Sequence, residues 1–508
     1  MTTPDTNSSL SHPEGFFAKL STPLTRFWTF FSWLGATTVF FAIADALGGP
    51  TEGDVAESAY STWAVAHGRL ACMYPPNGGH QLNDLANPFA LTAPLYPIIS
   101  GTAAFVLRIG HAVGFPSQHQ LGPRCEGAFV AMFNWSVKAS VIMPTIRLSY
   151  LMWPVMAIGA VLLLRSTDRG RTFWEPFSLV LLACTPPLIM CLTSFFHPQD
   201  LLAMGLVLGG LGLALRNKWG WSGALLGLAF TSQQFALLVA APLLLIVPAR
   251  HRIRYLTGAV IAILLVDGPV IVSTSGRALK TALFGSNRTG DQIVSTGGTV
   301  LWETHVKGVV LFTLSRVVPI VAALALTWWA KRRLGSRLLE PILLVSLATT
   351  ALGLRLVFEE NLFGYYFMAL AVGLVMLDVL RGSVRGHVVA WIALVTLAFN
   401  PVHWGLYSNW TPWDQQLHNA LPIIFLGVAL LIIVRDTLRH RLRGYIVAWF
   451  VLVALTCGPR ISPFNHGIIV LPNWIWQILL VPLGLVFAIE PVWREAHQAH
   501  ELAAATSA

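Results

Sequence analysis

Asp54 and Glu57 stand three residues apart in "GDVAESAYSTWAVAHG" (53–68), just after the first long apolar run of the chain. A carboxylate within hydrogen-bond reach of an alcohol can take its proton as the alcohol attacks, so either residue suits a general base. The spacing predicts a helix over 54–67. Asp54, Glu57 and Ser61 share one face, and Ala56, Tyr60, Trp63 and His67 another. Such a helix lies at a membrane surface with its carboxylates toward water or ligand, beside Tyr60, Trp63 and His67. The competing reading is a solvated juxtamembrane loop.

Three further groups sit where apolar runs end. In "SFFHPQD" (194–200), Pro198 suits the first helical position and Asp200 the first turn, where a carboxylate favours the helix dipole. His197 and Gln199 have no capping role and are placed to hold an anion or a sugar hydroxyl. In "LRLVFEENLFGYYF" (354–367), Arg355 is costly within an apolar helix unless paired, and Glu359 four residues on is its partner. That pair is as compatible with structure as with function. Glu360, Tyr365 and Tyr366 complete a carboxylate and aromatic group suited to a sugar. The loop "SGRALKTALFGSNRTGDQ" (275–292) carries Arg277, Lys280 and Arg288, cations that suit an anionic ligand such as a phosphate. Arg147, Gln233 and Gln234 are additional candidates for the same cavity.

The elements that must position these residues are apolar. Of 508 residues, 55% are hydrophobic and 11% charged, and the mean hydropathy is +0.65. Soluble chains carry roughly 25% charged residues. About twenty apolar residues cross a bilayer core of ~30 Å, and on that measure the chain holds about 13–15 spans, from 26–47 to 468–489. The fold expected is all-α: a polytopic transmembrane bundle with a juxtamembrane helix on the outer face after the first span. The run 219–248 is too long for one simple span, and "TSQQ" (231–234) interrupts it. The stretch 93–141 gives the wrong parity with two spans: either 93–115 is re-entrant or interfacial, or 126–141 crosses.

The net charge of +10 raises the question of nucleic acid. The cations, however, fall in short clusters between apolar runs, such as "RSTDRGR" (165–171), "RNK" (216–218), "RHRIR" (250–254) and "KRR" (331–333). That is the positive-inside pattern, so these loops read as cytoplasmic and no nucleic-acid partner is expected. Residues 1–25 and 491–508 become cytoplasmic tails. Loops 48–92 and 276–307 become external, on a face that is acidic and aromatic. Cys72 and Cys125 fall in polar stretches of the N-terminal third, and a disulfide between them is expected if both are external. Glu52, Asp54, His67 and His80 share one loop, which leaves a divalent metal open. There is no DxD and no tight ligand spacing, so no metal site is assigned and no cofactor is expected.

Two function classes fit polar groups set in a membrane. A transporter gathers its charges near the midplane, with broken helices and internal repeats. An enzyme acting on a lipid-linked substrate gathers them at one interface, as the sequence does here. The arrangement resembles the GT-C superfamily of polytopic glycosyltransferases that use polyprenyl-phosphate sugars, particularly its actinobacterial members. "GDVAESAYSTWAVAHGRLACMYPP" is similar to their first external loop, and "FHPQDLLAMGLVLGGLGLALRNKWGWSGALLGLAFTSQQFALL" to their outer His/Gln segment and glycine-rich helix pair. The likeness covers roughly 26–380, read as the catalytic core, with 381–490 as C-terminal helices.

The resemblance implies an inverting sugar transfer at the extracytoplasmic face of the plasma membrane. The donor would be a polyprenyl-phosphate mannose or arabinofuranose, and the acceptor a cell-envelope glycolipid or glycan. Asp54 would be the base, with Glu57 next, and Tyr60, Trp63 and His67 would bind the sugar acceptor. His197, Gln199, Arg147, Lys280, Arg288, Gln233 and Gln234 would hold the donor phosphate, with Gln233 standing where family members often carry Lys. A multi-pass transporter or flippase of a lipid-linked sugar is the alternative.

Overall fold

The computed structural model describes residues 31–38, 53–73, 93–107, 145–183, 185–193, 196–276, 278, 301, 310, 313–359, 364–382 and 473–507. Among these residues every regular element is helical and no strand occurs. Among the described residues four helices are long and apolar enough to cross a membrane: Thr145–Leu164, Pro198–Leu215, Ala249–Ser273 and Thr313–Leu339. Candidate spans between 383 and 472 lie outside the described residues.

The expected helix after the first apolar run forms as α1, Gly53–Ala66. It packs on α2, Leu95–Val106. At 1.5 Å per residue, the 12 residues of α2 reach about 18 Å, too short to cross a bilayer. Thr62 Oγ1 and Ser100 Oγ, 2.7 Å apart, join the two helices. The water-facing stripe expected on α1 does not extend to Ser61, which is buried together with Val55, Ser58 and Thr62. The reason is that α1 is covered by α2 rather than lying free on a surface.

The centre of the bundle is built from α3 (Met152–Leu164), α4 (Trp174–Ala183), α5 (Pro186–Thr193), α6 (Pro198–Leu215), α7 (Trp219–Ser232), α8 (Leu237–Ile246) and α9 (Arg252–Ser273). Small residues let these helices approach closely, as such residues do in membrane bundles. A Cβ on Gly159 of α3 would collide with the backbone carbonyl of Gly205 on α6. Likewise, a Cβ on Gly223 of α7 would strike the carbonyl of Tyr255 on α9. The run 219–248 does break within "TSQQ". Gln233 is extended (φ −152°, ψ 132°), ends α7 and is followed by a 3-10 turn, Gln234–Ala236, that leads into α8.

Three further helices close the bundle: α10 (Val318–Leu334), α11 (Pro341–Val357) and α12 (Met368–Arg381). A last helix, α13, runs unbroken over Asn473–Ser507, through the boundary expected near 490 between the final span and a tail. Ser346 Oγ donates to the carbonyl of Ala488 and ties α11 to α13.

Contacts fix helix directions. Gly205 faces Met156, and Gly212 faces Leu162, so α3 and α6 run parallel. The turn 216–218 then reverses the chain into α7. Lys331 Nζ donates to the carbonyl of Leu245, which pairs the C-terminal ends of α10 and α8. The bundle therefore has two chemically different ends. One carries the basic clusters: Arg165 makes a two-pronged hydrogen bond to Glu175, at 2.8 and 3.1 Å, and Arg381 pairs with Glu490 at 3.3 Å. The hydrogen bonds from Arg165 to the buried Glu175 raise the guanidinium above its ordinary value. The other end holds His197, Gln199, Gln233, Arg355 and Tyr365.

Candidate functional site

The segment "FHPQD" turns the chain from α5 into α6. His197 N–H donates to the carbonyl of Cys191 at 2.8 Å, and His197 is the N-cap residue (φ −124°, ψ 55°). Pro198 takes the first helical position, as its missing N–H allows. Asp200 falls in the first turn as expected, and the His197 side chain makes no capping hydrogen bond to the helix start. Gln199 and Asp200 point inward and are only 3% and 5% exposed. Gln199 Nε2 and His197 Nδ1 are 3.0 Å apart. Ser232 Oγ, at the end of α7, donates to the carbonyl of Gln199 at 2.8 Å and locks the two helix ends together. The Gln233 side chain lies beside the Asp200 carboxylate, and Gln234 is exposed.

A second group comes from the end of α11 and the turn Gly364–Phe367. Arg355 Nε donates to Glu359 Oε2 at 2.6 Å, an i,i+4 pair whose side chains are 18% and 5% exposed. The Arg355 guanidinium also stands 5.2 Å from the Tyr366 ring centre and 5.9 Å from that of Phe235, so aromatic faces shield it on two sides. The His197 ring lies flat on Tyr365, centroids 4.0 Å apart and planes 13° from parallel. Tyr366 meets Tyr365 edge-on at 4.5 Å. This stack joins the two groups. Asp200 and Arg355 are close enough for their charges to interact.

The expected candidates divide accordingly. His197, Gln199, Gln233, Glu359, Tyr365 and Tyr366 come together at one end of the bundle. Arg147 is exposed and belongs to the same end, since α3 and α6 run parallel. Asp54, Glu57 and Tyr60 lie on α1, with side chains outside the described residues, as are Lys280, Arg288, Glu360 and Cys125. Trp63, a candidate to bind the acceptor, is 1% exposed and packs with Cys72, Met73 and Val270 in a small second core. Packing of α1 onto α2 and α9 covers it. His67 Nδ1 is 3.1 Å from the Trp63 carbonyl, and the two rings are 5.0 Å apart. Cys72 is disulfide-bonded. Among the described residues no group of three or more His, Cys, Asp or Glu is arranged to hold a metal ion.

Arg316 was not singled out by sequence reasoning. It lies in a π-helical turn, Thr313–Val317, just before α10, and its charge reaches Tyr366. An arginine inside the apolar run 308–330 was the signal, because a charge there is costly unless something pairs with it. No protein-family model matches the chain, and no curated protein matches it in sequence.

Proposed function

We propose that this chain is a membrane glycosyltransferase. It moves a sugar, mannose or arabinofuranose, from a polyprenyl-phosphate donor to a glycolipid or glycan acceptor at the outer face of the membrane. One observation carries the reading. Carboxylate, imidazole, amide, guanidinium and phenol groups gather at a single end of an apolar bundle, opposite its basic end. A lipid-linked substrate presents its headgroup at an interface, where such a cluster meets it. In this reading the site cations and His197 stabilise charge on the departing phosphate. A carboxylate of α1, Asp54 or Glu57, takes the acceptor proton. Inversion needs no covalent carboxylate intermediate.

A transporter or flippase of a lipid-linked sugar draws on a different observation. Asp267 sits inside the apolar span Ala249–Ser273, with Oδ1 buried and unpartnered. An isolated ionisable group within a span marks a transport path in many membrane proteins. The two readings separate in one assay: purified chain in detergent, a panel of polyprenyl-phosphate sugars, and mass analysis of a glycolipid acceptor. A mass increase of one sugar in detergent supports the enzyme. Concentrative uptake into vesicles without any transfer supports the transporter.

A further inference from the structure

Among the buried polar atoms left unsatisfied at this end of the bundle, three differ in type in an informative way. Gln199 Oε1 and Asp200 Oδ1 are acceptors, and Arg316 Nε is a donor; all three are shielded from solvent and lack a partner in the folded chain. Buried polar groups are nearly always satisfied, so a native orphan calls for a specific explanation. These acceptors and this donor do not pair with each other in the fold: Gln199 meets His197, His197 stacks on Tyr365, Tyr365 meets Tyr366, and the Arg316 charge reaches Tyr366. A missing partner therefore brings donors to the two acceptors and an acceptor, preferably anionic, to the guanidinium.

Neutral hydroxyls satisfy the first requirement. A carboxylate oxygen and an amide oxygen on consecutive residues can each accept from one hydroxyl of a polyol. An anion satisfies the second, since a guanidinium donates readily to phosphate. The π-helical turn fits that role, because such turns recur at functional positions in helices. Arg355 is committed to Glu359 at 2.6 Å, whereas Arg316 Nε is buried without a hydrogen-bond partner.

We infer that this end of the bundle is a two-part receptor for a phosphorylated sugar, in which Gln199 and Asp200 accept the sugar hydroxyls and Arg316 binds the phosphate. The inference rests on the glycosyltransferase reading for its substrate class and assigns Gln199 to the sugar rather than to the phosphate. It also makes Asp200 and Arg316 binding residues.

The test uses the full chain in detergent and three probes for each sugar, mannose and arabinofuranose: the short-chain prenyl-phosphate glycoside, the prenyl phosphate without sugar, and the alkyl glycoside without phosphate. Binding is measured for wild type, Asp200→Asn and Arg316→Gln, with melting temperature as the check on folding. Asp200→Asn should weaken both sugar-bearing probes by about tenfold and leave the bare prenyl phosphate unchanged. Arg316→Gln should weaken both phosphate-bearing probes by a similar factor and leave the alkyl glycoside unchanged. Each variant is thus the folding control for the other. Equal loss of all three probes, no loss of any, or no binding of any probe by wild type overturns the inference. Because binding is read without turnover, a wild type that binds in the expected pattern but transfers nothing rejects the enzyme reading and leaves the receptor intact. A wild type that transfers sugar while the variants miss the pattern does the reverse.

Discussion

The imidazole of His197 lies flat against the phenol ring of Tyr365, with centroids 4.0 Å apart and planes 13° from parallel. One residue starts α6 and the other follows α11, so a single ring contact joins chain segments more than 160 residues apart. With Gln199 Nε2 set 3.0 Å from Nδ1, both the tilt and the rotation of the imidazole are fixed. Such second contacts on a histidine decide which nitrogen faces a ligand.

Replacing Tyr365 by Phe should therefore leave transfer within about threefold of wild type, because the stacking face survives. Tyr365→Ala should lower kcat/KM by about ten- to a hundredfold, equivalent to about 1.4–2.7 kcal/mol. Initial rates with a saturating acceptor check the comparison. Equal rates for the Phe and Ala variants would remove the stack from the account.

The Arg355–Glu359 pair gives a stability prediction. Removing one partner of a buried pair strands the other charge and costs about 3–5 kcal/mol, whereas replacing both with apolar residues costs much less. Arg355→Met and Glu359→Met should each lower the thermal midpoint in detergent well below that of the double variant. Additive losses in the double variant would mean that the two side chains do not depend on each other.

Helix packing makes a third prediction. A valine at Gly205 places a branched side chain against the backbone of Met156 and Val155, where no flexible group can move aside. Overpacking of this kind costs about 1–3 kcal/mol or more. Gly205→Val should reduce yield and melting temperature, while Gly268→Ala, where a Cβ meets nothing within 4 Å, should change neither.

The disulfide at Cys72 closes a loop in the N-terminal third if its partner is Cys125, as the sequence suggests. Peptide mapping without reduction should recover the two cysteines linked. Cys72→Ser should cost about 2–4 kcal/mol of stability. A linked peptide containing Cys184 or Cys457 instead would overturn the pairing.

Much of this end of the bundle was legible in the sequence because breaks in apolar runs are conspicuous. "FHPQD" announces a helix start through Pro198, "TSQQ" interrupts a run too long for one span, and Arg355 points to Glu359 four residues on. Which breaks would meet was not legible, because helix pairing depends on close approaches such as Gly159 to Gly205 that no local pattern encodes. Arg316 escaped notice because its environment, unlike that of Arg355, holds no carboxylate at i+3 or i+4. Trp63 misled for the opposite reason: helical spacing identifies a face but not what covers it, and α2 and α9 cover this one.

The central claim is most directly tested by the rate of sugar transfer in detergent, where no membrane gradient exists, with wild type, Asp54→Asn and Glu57→Gln compared on the same polyprenyl-phosphate donor. The account predicts measurable transfer by wild type and a loss of ~10²–10⁴ in turnover in one of the two variants, with donor binding retained. Wild-type transfer undiminished in both variants would contradict the assignment of the base to α1, and no transfer with any donor of the panel would contradict the glycosyltransferase itself.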